Sequence, residues 1–477
     1  MKKPEKTRTL ISISKKTFIQ VTLLLFALLL VSVALTYVLP KGEFGRTADG
    51  EIDYLSYLPR DDLGGLPLWR GLLAPVLVFF SGDGLTLAML SLFLFVISAA
   101  FQAMNDVGGI RALVGAVSER FRGRGGLLLL LLSFLFYCFG AFLGLFEEML
   151  TMLPIVAALC LSAGYDSFTG FICCILSCGF GFAGAITNPF TVLLASEIIG
   201  VNPMEHIGYR VLIFFVMFLL LAAFLRLYVR RLKKDPGSSL SLRHDEALRS
   251  AAAAETQAGE AGDERRCKRS CAVFLLGALA LIVGASLSSA LRGYTVVILT
   301  AYFLFGGVLA GVAAGGRLSA VLKSFLSGLG GALPTIVFIA LAASVKFVLD
   351  EGAVLPTLVH QINRLVTGRS PVAVALVIYL IVLLLEFFIS SSTAKAILVM
   401  GLLAVVNTGL TKPMLVLLYT FADGYTNVLF PTSPVLLISL SMVETDYFTW
   451  VKKSFPLFLV NFLLVVGFIV LGVVCGY

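Results

Sequence analysis

The sequence is poor in charge, and the few charges avoid most of the chain. Asp, Glu, Lys and Arg make up 13% of the 477 residues, against roughly 25% in soluble domains. More than half of them lie in three segments, 1–17, 41–70 and 230–270. Elsewhere the chain is dominated by apolar stretches of the length, about 20 residues, that crosses a bilayer. This excludes an ordinary soluble protein and predicts an all-α polytopic membrane protein.

Chemistry-bearing motifs are also scarce. The 3 histidines are scattered without an H-x-x-x-H spacing, and the 8 cysteines form no C-x-x-C pair, so neither a metal centre nor a disulfide framework is predicted. A G-x-S-x-G nucleophile motif is absent as well. We therefore expect no enzyme activity and no cofactor beyond a coupling Na⁺ or H⁺.

The net charge of +8 is placed at the ends of apolar stretches, which favours a lipid bilayer rather than a nucleic acid as the partner. Under the positive-inside rule the basic segments 1–17, 111–124, 230–234 and 265–269 face the cytoplasm. Residues 1–17 are then a cytoplasmic N-terminal tail, and Phe18 to Leu39 is a retained span rather than a signal peptide. The expected location is the bacterial cytoplasmic (inner) membrane.

Two membrane repeats are predicted, at 18–229 and 271–477, joined by a cytoplasmic disordered linker at 230–270. Each repeat contains an apolar hairpin followed by an interrupted helix. The first hairpin is predicted at 127–163 and its broken helix at 167–199; the second hairpin is predicted at 371–410 and its broken helix at 413–442. Counting the broken helices, this gives about nine full spans plus two hairpins.

The hairpins are read as re-entrant because Glu147 and Glu148 lie at the first bend, where carboxylates are costly unless they face a watery cavity. A single offset of 239 residues superposes Glu147 and Thr187 on Glu386 and Thr426. Because the charge pattern orients the two hairpins oppositely, the repeats are predicted to be inverted, as in secondary transporters.

Broken helices present backbone N–H and carbonyl groups that bind carboxylates and small cations. The predicted substrate-binding residues lie at the two breaks and at the tip of the second hairpin, where four hydroxyl residues stand in a row; for single hydroxyl residues helix packing is the simpler explanation. These residues are Thr187, Asn188, Pro189, Thr426, Asn427, Ser390, Ser391, Ser392 and Thr393. A coupling Na⁺ is expected near Asn188 and Asn427.

Ionisable residues near the predicted membrane centre are candidates for charge selectivity or ion coupling. They are Glu147, Glu148, Glu386, Asp423 and Lys395. Lys395 can simply neutralise Glu386, and Lys346 can pair with Asp350 one helical turn later. The excess of acids favours a cationic or zwitterionic substrate, although protonated glutamates or bound sodium would reverse that preference.

Several of these segments resemble the YfcC branch of the C4-dicarboxylate anaerobic carrier family. The first repeat contributes Gly144-Leu145-Phe146-Glu147-Glu148, Gly164 to Gly170, and Gly179 to Gly184 leading to Thr187-Asn188-Pro189-Phe190-Thr191. The second contributes Ser390 to Ala396, Asp423-Gly424-Tyr425-Thr426-Asn427 and Pro431-Thr432-Ser433. The pattern departs at Thr393, where serine or glycine is expected.

The resemblance implies an ion-transporter superfamily fold with inverted repeats, a homodimeric scaffold and elevator-type movement. It also implies that the matching hairpin tips and Asn-containing breaks bind the substrate. Members of this branch are linked both to dicarboxylates and to arginine–ornithine exchange, so the resemblance leaves the substrate open.

The sequence therefore predicts a secondary active transporter, by symport or exchange, of a small carboxylate-bearing solute. A basic amino acid such as arginine or ornithine is favoured, and a C4-dicarboxylate is the alternative. The rival class is a channel, which has no need of inverted broken helices.

Overall fold

The computed structural model describes residues 15–47, 52–242, 244–246, 248, 264–288, 290–291, 294–366, 368–389 and 391–477. Most of the predicted N-terminal tail and Ser390 lie outside these ranges. Within them, helices dominate, and the chain is a multi-pass membrane protein.

Nine helices in the described part of the chain are long and apolar enough to cross a membrane. They are Phe18–Val38, Gly84–Asp106, Gly125–Leu143, Ile207–Lys234, Glu264–Ala285, Thr295–Ala313, Leu318–Glu351, Pro371–Phe388 and Tyr447–Val474. The number agrees with the prediction, but the members differ. The first leg of each predicted hairpin is long enough to span, whereas the two broken helices are divided into shorter pieces.

The remaining helices are shorter. They are Leu68–Leu77, Gly109–Arg120, Met149–Ser162, Ser167–Phe171, Ser177–Ala183, Leu194–Ile199, Leu355–Val366, Ser392–Val405, Lys412–Gly424 and Pro434–Met442, with π-helical turns at Phe139–Leu143, Ile172–Leu176 and Pro189–Leu193. The apolar helix Leu68–Leu77 is among them, and its 10 residues are too few to cross a membrane.

The prediction of an all-α chain is wrong in one place. Strands Gly42–Arg46 and Ile52–Pro59 pair as an antiparallel β-hairpin in the loop after the first span. The guanidinium of Arg60 lies 2.8 Å from carboxylate oxygens of both Glu43 and Asp62, and its hydrogen bonds lower the pKa of Asp62. Aromatic and β-branched residues such as Ile52, Tyr54 and Tyr57 favour strands. The many polar residues around them favoured the prediction of an irregular loop.

The predicted linker 230–270 is shorter than expected at both ends. The helix Ile207–Lys234 continues to Lys234, and the next helix, Glu264–Leu287, begins well before residue 271. Both helices extend beyond their apolar stretches because charged helix formers continue them. Residues 249–263, on which the prediction of disorder mainly rests, lie outside the described residues.

The first part of this linker docks on the membrane domain rather than leaving it. Asp245 accepts a hydrogen bond from the backbone N–H of Ser167 at 3.2 Å, and Ser241 Oγ accepts one from Phe168 N–H at 3.1 Å. Both acceptors satisfy N–H groups in the first turn of a helix, which would otherwise lack partners. Burial raises the pKa of Asp245, against hydrogen bonds that lower it.

Many of the helices form two packed groups, which contact each other where Gly109–Arg120 packs against Met149–Ser162. One group contains Gly84–Asp106, Gly109–Arg120, Glu264–Leu287, Thr295–Ala313 and Leu318–Leu329. The other contains the two hairpins with the interrupted helices that follow them.

The sequence allows Lys346 to pair with Asp350, but in the structure it forms its ion pair with Asp83. Asp83 lies directly before the helix Gly84–Asp106.

Candidate functional site

The first hairpin bends between Leu143 and Met149. Its first leg ends in the π-helical turn Phe139–Leu143, and Gly144 follows in the left-handed region with φ +67°. Glycine adopts this conformation without a Cβ clash, which is why the chain can reverse here. Glu147 is exposed within the bend, and Glu148 is buried.

The first break is the non-helical segment 184–188, between the helices that end at Ala183 and begin at Pro189. Asn188 is fully buried and caps the second piece: its Oδ1 accepts hydrogen bonds from Phe190 N–H at 2.9 Å and Thr191 N–H at 3.2 Å. Its Nδ2 donates to the carbonyl of Gly140 at 2.9 Å. Asn188 therefore joins the break to the first hairpin.

The backbone of the first break is satisfied by the same hairpin. The N–H groups of Ile186 and Thr187 donate to the carbonyl of Ala141 at 3.0 and 3.3 Å, and Thr187 Oγ1 donates to Phe142 O at 3.2 Å. Thr187 is half-buried and Pro189 is buried. In this conformation these N–H groups hold the break in place rather than facing a ligand.

Replacement of Gly144 by alanine should disturb this junction. A Cβ at Gly144 would lie 2.8 Å from Asn188 Oδ1 and 2.7 Å from the ring of Phe190. We expect Gly144→Ala to lose about 1–2 kcal/mol for the left-handed backbone, plus the cost of displacing Asn188, and to impair transport. Gly164→Ala is the matched control, since Gly164 has φ +86° with nothing within 4 Å of the added atom.

Thermal melting in detergent, together with uptake into proteoliposomes, checks this prediction. Gly164→Ala should melt slightly below the wild-type protein and transport normally, and Gly144→Ala should be lower in both. Equal behaviour of the two variants would show that Gly144 serves only the backbone turn.

The second hairpin consists of Pro371–Phe388 and Ser392–Val405. Ser391 and Thr393 are exposed at its tip, and Ser391 Oγ caps the second leg by accepting a hydrogen bond from Ala394 N–H at 3.4 Å. Ser392 Oγ donates to Asp423 Oδ2 at 2.8 Å. The hydroxyl row thus divides between residues that fix the tip and residues that face outward.

A buried group of three charged residues underlies this tip. Lys395 is fully buried, and its Nζ lies 2.7 Å from Asp423 Oδ1 and in ion-pair contact with Glu386. Both carboxylates are buried as well, at 2% exposure for Glu386 and 0% for Asp423. We call these residues the buried triad. Burial without water requires such pairing, because an isolated ion in a low-dielectric interior is costly.

The second break is the segment 425–433, between the helices that end at Gly424 and begin at Pro434. Thr426 Oγ1 donates to the carbonyl of Ala422 at 2.7 Å, and Asn427 Nδ2 donates to that of Asp423 at 2.7 Å. Asn427 therefore lies against the backbone of a triad residue. Pro434 supplies no N–H and is favoured in the first turn of a helix, which fits its place where the second piece begins.

Two aromatic residues satisfy the carbonyl groups of the second break. Trp450 Nε1 donates to Val428 O at 3.0 Å, and the Tyr447 hydroxyl donates to Leu429 O at 3.0 Å. Both residues come from the last helix. An apolar cavity of about 230 Å³ opens beside Thr426 and Phe430.

The helix Ser177–Ala183, which precedes the first break, contacts the second break and the end of the helix before it. A Cβ placed on Gly424 would lie 2.4 Å from the backbone of Ala183, and one placed on Gly179 would lie 2.5 Å from the side chain of Val428. Only glycine permits backbones to approach this closely. The helix Ser177–Ala183 also packs against the first hairpin, since a Cβ on Gly140 would lie 2.1 Å from the carbonyl oxygen of Cys178. This helix therefore links the first bend to the second break and the buried triad, and we call these elements the shared polar region.

The structure places Thr187 and Asn188 against the first hairpin. It places Ser392, Thr426 and Asn427 against Asp423 of the buried triad. Ser390 lies outside the described residues. The sequence suggested Glu386 as the partner of Lys395. In the structure Lys395 also forms an ion pair with Asp423. Trp450, Tyr447 and Gly424 were missed, although a glycine directly before the second break was a usable signal.

No three His, Cys, Asp or Glu side chains converge on a metal position in the described part of the chain. A Na⁺ at Asn188 would compete with the two N–H groups that already occupy its Oδ1, since a carbonyl oxygen has two lone pairs. At Asn427 the hydrogen bond described above involves Nδ2, and the nearby carbonyl groups of Asp423, Val428 and Leu429 already accept hydrogen bonds.

Comparison with known proteins gives consistent results. The family model of the C4-dicarboxylate anaerobic carrier matches residues 18–474. A protein of Escherichia coli (strain K12) named "Putative basic amino acid antiporter YfcC" is 25% identical over 422 residues, which is 83% of this chain and 82% of that protein. An uncharacterized protein of Haemophilus influenzae is 25% identical over 80% of this chain and 74% of its own length.

Among solved structures, the YdaH transporter of Alcanivorax borkumensis matches at a TM-score of 0.45 and 18% identity, covering 95% of this chain and 97% of that one.

Proposed function

The chain belongs to the C4-dicarboxylate anaerobic carrier family and is a membrane transporter, not an enzyme; from this premise we propose that it is a secondary active transporter that exchanges or co-transports a basic amino acid such as arginine or ornithine. The observation that carries the choice of substrate is the charge of the shared polar region. The region contains the carboxylates of Glu147, Glu148, Glu386 and Asp423. Among the described residues that form the region, Lys395 is the one basic side chain.

The buried triad alone carries one net negative charge when all its members are ionised. Glu147 adds a carboxylate that is exposed in the bend, where a guanidinium or ammonium group could pair with it. The exposed hydroxyl groups of Ser391 and Thr393 are suited to bind the carboxylate of the amino acid. The apolar cavity beside Thr426 is suited to its aliphatic stem. The curated relative named as a basic amino acid antiporter supports the same choice.

A C4-dicarboxylate is the second candidate, favoured by the name of the matching family. Two carboxylates would enter a region that already holds an excess of carboxylates, so this substrate requires compensation by bound Na⁺ or protons. The need for coupling ions therefore distinguishes the two candidates. Transport of a dicarboxylate should depend strongly on Na⁺ or protons, whereas exchange of arginine for ornithine needs neither.

We extend the proposal to the mechanism. The two helix groups are suited to an elevator movement, in which the group holding the hairpins and breaks moves against the other. Two inverted repeats in a homodimer, an N-terminus in the cytoplasm and an inner-membrane location complete this proposal. The matching order of hairpin, helix, break and helix in the two repeats supports it.

Uptake into proteoliposomes tests the function. Labelled arginine should accumulate in liposomes preloaded with ornithine and much less in unloaded liposomes, and labelled fumarate should not. Separate arms with a Na⁺ gradient and with a proton gradient identify a coupling ion. Fumarate uptake that depends on either gradient would establish the alternative substrate. Flux far above carrier rates, with neither acceleration by internal solute nor dependence on an ion gradient, would establish a channel.

Glu147→Gln should weaken recognition of a cationic substrate. Removal of one charge-assisted ion pair costs about 1.5–3 kcal/mol, so we expect KM for arginine to rise about tenfold or more. Glu119→Gln is the control, since the Glu119 side chain is exposed and pairs with Arg122 away from both hairpin tips and both breaks, so its removal should leave KM unchanged. An unchanged KM in Glu147→Gln would remove this residue from the binding site.

A further inference from the structure

Arg210 is a buried cation near the N-terminal end of the membrane helix Ile207–Lys234. It is the fourth residue of this helix and is 3% exposed. An arginine near the end of a membrane helix usually extends its guanidinium group to the water, but Arg210 does not. Charged side chains buried in membrane segments are costly unless they are paired, so Arg210 requires a partner.

The described residues give Arg210 no counter-charge. Its Nη1 atom is buried without a hydrogen-bond partner, and no carboxylate of the described residues lies within 4.0 Å of its guanidinium nitrogen atoms. The carboxylate of Glu205, which precedes the helix, lies 3.8 Å from His206 and is 46% exposed. Because arginine does not lose its proton in proteins, the positive charge of Arg210 stays uncompensated by these residues.

Two further groups at the same helix end favour an anion. The N-terminal end of a helix carries a partial positive charge, which repels a cation in the first turn and attracts an anion. Tyr477 packs on Tyr209, the residue before Arg210, with ring centroids 4.8 Å apart. Its hydroxyl is buried and also has no hydrogen-bond partner, and as an uncharged group it cannot neutralise the guanidinium. The helix end therefore combines a buried cation with a second hydrogen-bond donor.

We propose that Arg210, with the Tyr477 hydroxyl beside it, binds a small anion, either chloride or the carboxylate group of an organic solute. A guanidinium forms charge-assisted hydrogen bonds with both. The charge pattern predicts that this end of the helix faces the outside. One turn further along the helix, the Cα atom of Phe214 would lie 3.3 Å from a Cβ on Gly184, so the anion would be bound about one helical turn from the first break.

Thermal melting of the full chain in detergent tests the site. The melting temperature is measured in sodium chloride, sodium acetate and sodium gluconate at equal ionic strength, since gluconate is too bulky for a buried site. Chloride or acetate should raise the melting temperature above its value in gluconate, because a ligand that binds only the folded protein stabilises it. Arg210→Met should abolish this difference. A wild-type protein that melts equally in all three salts, or an equal difference in Arg210→Met, would overturn the proposal.

Arg210→Lys is a second variant that does not depend on how well Arg210→Met folds. Lysine keeps the charge but loses the planar fork of the guanidinium. The anion concentration that gives half of the melting shift should therefore rise roughly tenfold, and an unchanged value would contradict the site. Arg226→Met is the control, since it removes an exposed arginine from the same helix and should keep the full shift. Loss of the shift in this control would assign the effect to net charge and overturn the proposal.

Uptake of arginine and its inhibition by agmatine distinguish the two anions, because agmatine is arginine without its carboxylate group. If Arg210 binds the carboxylate of the transported solute, Arg210→Lys should raise KM for arginine roughly tenfold and leave the inhibition constant of agmatine unchanged. If Arg210 binds chloride, both values should stay unchanged and chloride should give the larger melting shift. This comparison rests on the proposed function, whereas the melting measurements do not. Absence of arginine transport in the wild-type protein would therefore refute the proposed function, and melting would still decide the anion site.

Discussion

Lys395→Met should unfold the protein more easily than any other single substitution at the candidate site. The change removes the cation from the buried triad and leaves Glu386 and Asp423 unpaired in an interior where neither is more than 2% exposed. Breaking a buried pair by deleting one partner costs about 3–5 kcal/mol. We expect a clear drop in melting temperature in detergent and no measurable uptake in proteoliposomes.

A combined variant distinguishes a structural role of the triad from a functional one. Replacing all three members together, as Glu386→Gln, Lys395→Met and Asp423→Asn, removes every charge of the triad. Neutral replacement of a buried ion pair is often tolerated, so most of the stability should return. If the triad also sets the charge of the pocket, uptake should remain absent. Recovery of both stability and transport would assign the triad to folding alone.

Lys346→Met is the matched control for this prediction. Lys346 also forms an ion pair near the membrane, but its partner Asp83 is 53% exposed. An ion pair open to water contributes about 0–1 kcal/mol, so this variant should melt close to the wild type and transport normally. A melting temperature of Lys395→Met equal to that of Lys346→Met would contradict the buried triad.

Asn188→Ala and Asn427→Ala should each abolish uptake while leaving the protein folded. Asn188→Ala removes a helix cap, which costs about 1 kcal/mol, and releases the first break from Gly140. Asn427→Ala removes the amide that donates to Asp423 O. Small displacements of binding groups lower rates by about 100-fold, so we expect losses of at least that size in initial rates of exchange.

The control for the asparagine variants is Asn202→Ala. Asn202 is exposed and accepts a hydrogen bond from Met204 N–H at 2.9 Å, so it has the same local capping chemistry outside the site. Its loss should change neither exchange nor melting by much. Normal exchange in both Asn188→Ala and Asn427→Ala, with unchanged melting, would discredit the breaks as the binding site.

Local signals in the sequence were sufficient to locate the breaks. Asn188 followed by Pro189 combines a good helix cap with a residue favoured at a helix start, and Ser433 followed by Pro434 has the same pattern in the second repeat. Uninterrupted apolar length located the spans in the same way, apart from Gly125–Leu143 and Pro371–Phe388, which the sequence assigned to re-entrant hairpins. These features depend on neighbouring residues, and sequence patterns report such neighbours directly.

Contacts between distant residues could not be predicted in this way. Lys395 was assigned to Glu386 on its own hairpin, but its second partner, Asp423, comes from the next helix. The approach of Gly424 to Ala183 joins the two repeats, and docking of Asp245 on Ser167 joins the linker to the membrane domain. Each depends on how helices pack, which hydropathy and motif spacing do not specify.

Protection of introduced cysteines by substrate tests most directly whether both breaks and hairpin tips form one pocket. Six of the eight native cysteines are buried, so replacing only Cys138 and Cys475 by serine removes the accessible thiols. Thr187→Cys at the first break and Thr393→Cys at the second hairpin tip then report on the two repeats. The control is a variant in which Cys475 is the one accessible cysteine, because substrate should not protect it from labelling.

The solute identified in the liposome assay is added during labelling with a maleimide. It should slow labelling at Thr187→Cys and at Thr393→Cys with the same half-maximal concentration, and it should leave Cys475 unaffected. Protection at only one of the two positions, or at clearly different concentrations, would mean that the repeats do not share a binding pocket.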